Sequence, residues 1–484
     1  MSSRFHESFD VYIERHGVWV IEFMGGSAGE ARRYGEDQLR QPHVTGMRLI
    51  RTRASAISGA VTEDILLEKT RSALPKEPTV GAIQDAPDCT RVSDLLKPRA
   101  RFCIHLLFRD WIETHDVGVL ECLMTPHLFE QLLDRGSLVE KAVQRVAALQ
   151  TPAGDDTSYR VDVLLGLIDD VRRIGRQQQR KGAKERDAIA VLGSLETPAR
   201  GEELGEADAV IAEMLASDRT RFAKMMRLIS LLGDLENPAG LAVVDRWLSD
   251  YMMDHTVSGE LAGKQPYAVD RLDWIASLAS GRVDTQDPGL SRFAQRIGEG
   301  VLGETRDAML LSLDHALRQD SPLGEGTSAS ERSAVLRLVR RCTETYPEFL
   351  GGPRLAARLT DRYGMYETAG GTRGFGEAME TIAVDLDTGP QQLLYLTTLM
   401  EGSKVGSIKR RLLEQIDNVL RLYGGVDRHL ATLETNEAIV AECRTMAKLL
   451  DHLGLGPRTL ETWTLAINSA ADTELAKRAP TRSA

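Results

Sequence analysis

Aromatic residues, cysteine and long apolar runs are all scarce in this chain. Phe, Trp and Tyr make up 5% of 484 residues, so burial must come from Leu, Val, Ile, Ala and Met, a mixture suited to helix packing rather than to a strand-rich sandwich. The five cysteines, Cys89, Cys103, Cys122, Cys342 and Cys443, include no Cys-x-x-Cys pair. That spacing argues against a zinc ribbon or a disulfide framework and points to a reducing cytoplasm. No apolar run approaches the ~20 residues that cross a bilayer, and Arg4, Glu7, Asp10, Glu14 and Arg15 deny the N-terminus a secretory core. Positive charge is also short: 60 Lys and Arg against 71 Asp and Glu leave a net −11, the wrong sign for nonspecific attraction to nucleic acid. A soluble cytoplasmic protein is expected, with no nucleic-acid partner and no membrane insertion.

Hydrophobic residues at 42% and charged residues at 27% supply a sizeable core and exclude wholesale disorder. At the N-terminus Phe9, Val11 and Ile13 alternate, and a second run starts at Val18-Trp19-Val20-Ile21 after Arg15-His16-Gly17, which reads as a β-hairpin. Ser27 and Glu30 have capping-box spacing at the start of a helix to about Arg40, Pro42 stops it, and Val44 to Arg53 returns to strand character. A β-β-α-β module over residues 1–70 follows, too small to be stable alone, so it should dock on the helical body, pair with a second copy or accept a partner strand. Residues 71–90, with Pro75, Pro78 and Pro87, read as a linker.

Beyond the linker the apolar period is helical. Residues 91–150 read as a compact helical domain, with Thr125-Pro126 starting one helix and Ser137 with Glu140 forming a second capping box. Residues 151–205 read as one helix followed by a polar, flexible hinge. Residues 206–475 read as a body of helical hairpins, with Asn237-Pro238 starting the stripe Leu241, Val244, Leu248 and Tyr251, and residues 476–484 as a disordered tail. Leu228–Met252 can be laid over Leu396–Leu420. The expected class is mostly α: stacked helical hairpins, either an irregular HEAT-like solenoid or a bundle, behind a small β-β-α-β module.

Chemical signatures are weak. Between Cys103 and His127 lie His105, Glu113, His115, Asp116 and Cys122, but no His-His pair has the i, i+3 or i, i+4 spacing that brings ligands together on a helix, so no metal site is expected. Gly370, Gly371, Thr372, Arg373, Gly374 and Gly376 could cradle an anion ahead of a helix, without the Lys-Ser/Thr of a P-loop. Phe375-Gly376-Glu377-Ala378 resembles the phosphate cassette of cyclic-nucleotide-binding domains, although no arginine stands in the residues just after Glu377 and no β-roll strands flank it. Gly25, Gly26 and Ser27 offer a second such turn. Two basic stretches, Arg172 to Lys184 and Lys404 to Arg411, read as solvated faces. No Gly-x-Ser-x-Gly elbow is present and the carboxylates are scattered, so no catalytic residue and no cofactor is assigned.

The leading expectation is a non-enzymatic scaffold or adaptor that binds a protein partner, with Trp19, Trp247, Tyr251 and Trp274 as anchors and a possible homo-oligomer through the N-terminal sheet. The alternative is a ligand-responsive regulator that takes a nucleotide or other anion at a glycine-rich loop. An enzyme of unknown class stands third.

Overall fold

The computed structural model describes residues 5–15, 18–39, 44, 46–55, 61–70, 78–178, 185–195, 205–283, 285–319, 321–366, 374–402, 405–421, 425–453 and 455–478. The protein is mostly α, 69% helical, with 24 helices among the described residues and a small antiparallel sheet. Two compact units divide the chain, residues 1–79 and 80–484.

The first unit runs β1 (Phe5–Arg15), β2 (Val18–Gly25), α1 (Ala28–Leu39), β3 (Gly46–Ser55) and β4 (Val61–Thr70), with strand order β2-β1-β3-β4 and every neighbour antiparallel. Alternation places Val11, Ile13, Met47 and Leu49 on one face, where they bury against Ala31 of α1. Gly35 permits this closeness, since a Cβ there would lie 2.6 Å from Met47 Cε. Ser27 Oγ accepts the Glu30 amide at 3.4 Å, as its spacing predicts.

The sequence pattern predicts three strands, and the structure adds a fourth. Strand β4 hides its period because Leu49 pairs Leu67 while Ile50 pairs Ile65, which leaves Leu66 as an extra residue that breaks the alternation. Acidic residues also disguise it. Glu68 and Asp64 face Arg48 and Arg51 of β3 at 3.0 and 2.7 Å, so cross-strand charge pairing supports a segment that composition alone reads as polar.

The second unit opens with an extended segment, residues 80–90. The helices α2 (Val92–Leu95), α3 (Pro98–Leu107), α4 (Arg109–His115), α5 (Val119–Met124), α6 (Pro126–Leu133), α7 (Gly136–Gln150) and α8 (Ser158–Gln178) follow. Next come α9 (Glu185–Gly193), α10 (Glu206–Leu215), α11 (Arg221–Leu231), α12 (Pro238–Met252), α13 (His255–Leu261), α14 (Ala268–Ala279), α15 (Pro288–Gly298), α16 (Gly303–Arg318), α17 (Ser328–Thr343) and α18 (Gly352–Gly364). The chain closes with α19 (Phe375–Asp385), α20 (Gly389–Met400), α21 (Val405–Arg421), α22 (Gly425–Thr432), α23 (Asn436–Asp451) and α24 (Pro457–Arg478).

Starts are marked as the residues suggest: Asn237 Oδ1 accepts the Ala239 amide at 3.1 Å, and Thr125 precedes Pro126 at the start of α6. Ser137 is not a cap, because α7 already begins at Gly136.

Helix α12 packs against α3, α5, α9, α11, α13 and α16. A solenoid repeat meets only its sequence neighbours, so this stretch is a bundle around one central helix. Helices on both sides of Gln150 share one core, which runs from Cys89 to Ala471. The stretch expected to be a hinge contains α9, whose Ala188 and Leu192 are fully buried, and Asn237 Nδ2 donates to Leu192 O and Leu195 O at 3.1 and 2.7 Å. Residues 179–184 and 196–204 lie outside the described set, as do 479–484 of the expected tail, whose first residues continue α24.

Part of the expected linker is docked. Gly81 N donates to Leu107 O at 2.9 Å, and a Cβ at Gly81 would sit 1.8 Å from Leu106 O, so only glycine lets the segment lie this close to the end of α3. Side chains complete the attachment: Arg145 reaches Val80 O, Gln150 reaches Pro87 O and Arg160 reaches Cys89 O, at 3.0, 2.5 and 2.6 Å.

Candidate functional site

A dense set of ionisable groups surrounds α12, 13 of whose residues are buried. Its sequence is apolar or small except where Asp245, Arg246, Ser249 and Asp250 intervene, and the bundle supplies each with partners. Asp245 accepts the Glu304 and Thr305 amides at 2.9 and 2.8 Å, occupying the start of α16. Asp250 accepts the Leu120 amide at 2.8 Å and the Val119 amide as well, occupying the start of α5. One helix thus presents a carboxylate to the positive end of two others, where free amides and the helix dipole favour it.

Arg101 of α3 crosses this region without solvent exposure. It donates to Leu96 O, Arg246 O, Ser249 Oγ and Glu304 Oε2 at 2.8, 2.7, 2.8 and 2.6 Å, with Asp250 Oδ1 at 3.4 Å. Beside it Lys224 Nζ spans both Glu121 oxygens at 2.8 and 2.9 Å, and Tyr251 Oη donates to Glu121 Oε2 at 3.1 Å. On the opposite flank Arg246 Nη2 spans Asp208 at 2.7 and 2.8 Å while Trp247 Nε1 donates to the same carboxylate at 2.8 Å.

Burial pushes the Asp250 carboxyl up to about 6 against the pull of Arg101 and the α5 amides. It also raises Asp245, Glu304 and Tyr251 and lowers Arg101. Asp245, Asp250, Glu121 and Asp208 each accept from two or more donors, an arrangement that fixes helix positions, while Glu304 accepts from Arg101 and keeps part of its carboxylate exposed.

The expected anchors separate into two kinds. Trp247 and Tyr251 belong to this buried network at 0% and 1% exposure, so neither is a surface anchor; their hydrogen bonds to Asp208 and Glu121 explain why such large side chains sit at the centre. Trp274 is half-buried and packs on the same core. Trp19, in β2, is half-buried beneath the Arg48 guanidinium, 4.6 Å from the ring centroid.

Among the expected anion loops, Gly25 ends β2 and Ser27 is spent capping α1. Gly370, Gly371, Thr372 and Arg373 lie outside the described residues. Gly374 is the residue before α19, and a Cβ at Gly376 would meet Arg411 Nη1 at 2.9 Å. Arg172 and Arg176 both pair with Glu130 at 2.6 Å, and Arg410 pairs with Glu414 at 2.8 Å.

Among the described residues no group of three His, Cys, Asp or Glu side chains is placed to hold a metal ion. His115 instead stacks on Trp111, ring centroids 4.2 Å apart, with its Nδ1 2.8 Å from Trp111 O.

A cavity of about 130 Å³ opens between α3, α4, α5, α6, α7 and α8, and residues Ala86, Pro87 and Cys89 of the extended segment form part of its wall. Nothing in the sequence announces it, because its lining comes from short helices, each with an ordinary apolar stripe. The buried ions are equally silent: the one available sign is a run of charge, Asp245-Arg246 and then Asp250, inside an otherwise apolar 15-residue helix.

The chain matches no family model, no curated protein and no solved structure.

Proposed function

We propose that the protein is a non-enzymatic scaffold or adaptor that works through protein–protein contact, with its N-terminal sheet as the docking surface. One observation carries this reading. Of the 14 large apolar side chains exposed among the described residues, six, Val20, Ile21, Met24, Val61, Ile65 and Leu66, lie on β2 and β4. These are the two edge strands, whose outward amides and carbonyls have no partner strand within the sheet. Exposed apolar edges are what strand addition uses.

The two edges differ in protection. Strand β4 carries Glu63, Asp64, Glu68 and Lys69, charges that discourage pairing, whereas β2 carries Glu22 alone among its described side chains. Strand β2 is therefore the preferred docking edge, for a partner's strand or for β2 of a second copy. Five free, buried cysteines suit a cytoplasmic setting for this role.

The test is cross-linking mass spectrometry and sedimentation velocity on the full chain at native concentration, beside an Ile21→Lys/Met24→Lys variant. The reading requires a self-association or a cross-linked partner that maps to β2 and disappears in the variant. A wild-type chain that sediments as a monomer and cross-links to no partner contradicts it.

A further inference from the structure

Independently of the sheet, we infer that the α3–α8 bundle is a binding site for a small uncharged ring compound. Size sets the first bound. A cavity of about 130 Å³ is close to the ~150 Å³ apolar void known to accept benzene, so the occupant is a single ring rather than a fatty acyl chain or a nucleotide.

The lining sets the second. It includes Leu107, Phe108, Trp111, Phe129, Val143 and Leu167, and contains no Asp, Glu, Lys, Arg or His. Its polar members are Gln150 and three thiols. Gln150 is occupied on both sides, donating to Pro87 O and accepting from Arg160, each at 2.5 Å. Cys89 and Cys103 donate to Pro87 O and Asp85 O at 3.5 Å, and burial holds both thiols up at about 11, with Cys122 higher, so all three stay neutral. A carboxylate or ammonium brought here would find no counter-charge to offset its lost hydration.

Among the lining residues one side-chain nitrogen or oxygen is buried without a hydrogen-bond partner, the Nε1 donor of Trp111, a residue 1% exposed. It favours a ring bearing one neutral acceptor, such as a phenol, over a bare hydrocarbon.

Access follows from what covers the site. Ala86, Pro87 and Cys89 belong to the extended segment, and the Gln150 and Arg160 side chains clip it to α7 and α8 through Pro87 O and Cys89 O. Cys103 to Asp85 O at 3.5 Å, Arg99 to Asp85 at 2.5 Å and Arg160 to Asp88 at 2.9 Å hold the same wall, so freeing it breaks side-chain bonds but unfolds no helix.

The full chain is tested with fluorobenzene observed by fluorine NMR and with toluene, phenol and benzoate as competitors. The inference requires a bound fluorobenzene signal that toluene and phenol displace and benzoate does not, with phenol roughly three- to tenfold tighter than toluene. Trp111→Phe removes that preference and retains toluene. Ala142→Leu, which projects a larger side chain into the cavity, abolishes binding with the melting temperature preserved. Absence of any displaceable signal in the wild type, or benzoate competing as well as phenol, overturns the inference whether or not the variants fold.

Discussion

In the N-terminal unit ion pairs lie on the sheet surface and apolar side chains lie bare along its edges, whereas in the helical unit the ion pairs of α12 lie at the centre and apolar side chains close over them. Arg48–Glu68 and Arg51–Asp64 retain 27% to 48% side-chain exposure, while Arg101 and Asp250 retain none. The difference follows from size. Among the described residues six are buried in the sheet unit's core, too few to enclose a second sheet face, so its strands rely on the one described helix and on surface charge. The helical unit has enough layers to bury a whole helix, and it can then use carboxylates as internal caps for α5 and α16.

This contrast predicts unequal consequences for removing one arginine. Arg101→Ala strands Asp250 and Glu304 without their cation, and urea unfolding followed by circular dichroism should show a loss of about 3–5 kcal/mol. A loss below about 1 kcal/mol would mean that the buried cluster is dispensable.

The second effect depends on pH. The folded chain holds the Asp250 proton up to about 6, while an unfolded aspartate releases it near 3.8. This residue's contribution is therefore complete below about pH 4 and is lost as pH rises through about 6, because the native state binds the extra proton across that window. The stability of the wild type minus that of Asp250→Asn should fall as pH is raised from about 4 to about 7. A flat or rising difference, read from urea midpoints, would show that Asp250 is ionised when folded.

Edge substitutions should separate binding from stability. Ile21→Lys/Met24→Lys is expected to leave the melting midpoint of the isolated chain within about 0.5 kcal/mol, since both side chains already face solvent. Arg48→Ala, which removes an exposed pair, should cost under about 1 kcal/mol. If Arg48→Ala matched Arg101→Ala, the contrast between the units would fail.

The helical class was legible because amphipathic periodicity, Asn237-Pro238 and Thr125-Pro126 are local signals, and folding had only to confirm them. Strand β4 was not, since Leu66 interrupts the alternation and Arg48 and Arg51, distant in sequence, supply the support. Trp247 stands off the stripe of Leu241, Val244, Leu248 and Tyr251, and that stripe by itself implies one covered face. The partners that cover the opposite face, Asp208 and Glu121, come from α10 and α5 and leave no trace near α12 in the sequence. The ring-sized cavity is illegible for a related reason: a void is a property of how six helices meet.

Hydrogen–deuterium exchange on the full chain tests the contrast between the units most directly. The account predicts that amides of α12 exchange slowest in the molecule, while the outward amides of β2 exchange fastest among the regular elements of the monomer. Exchange in α12 as rapid as in β2 would contradict it.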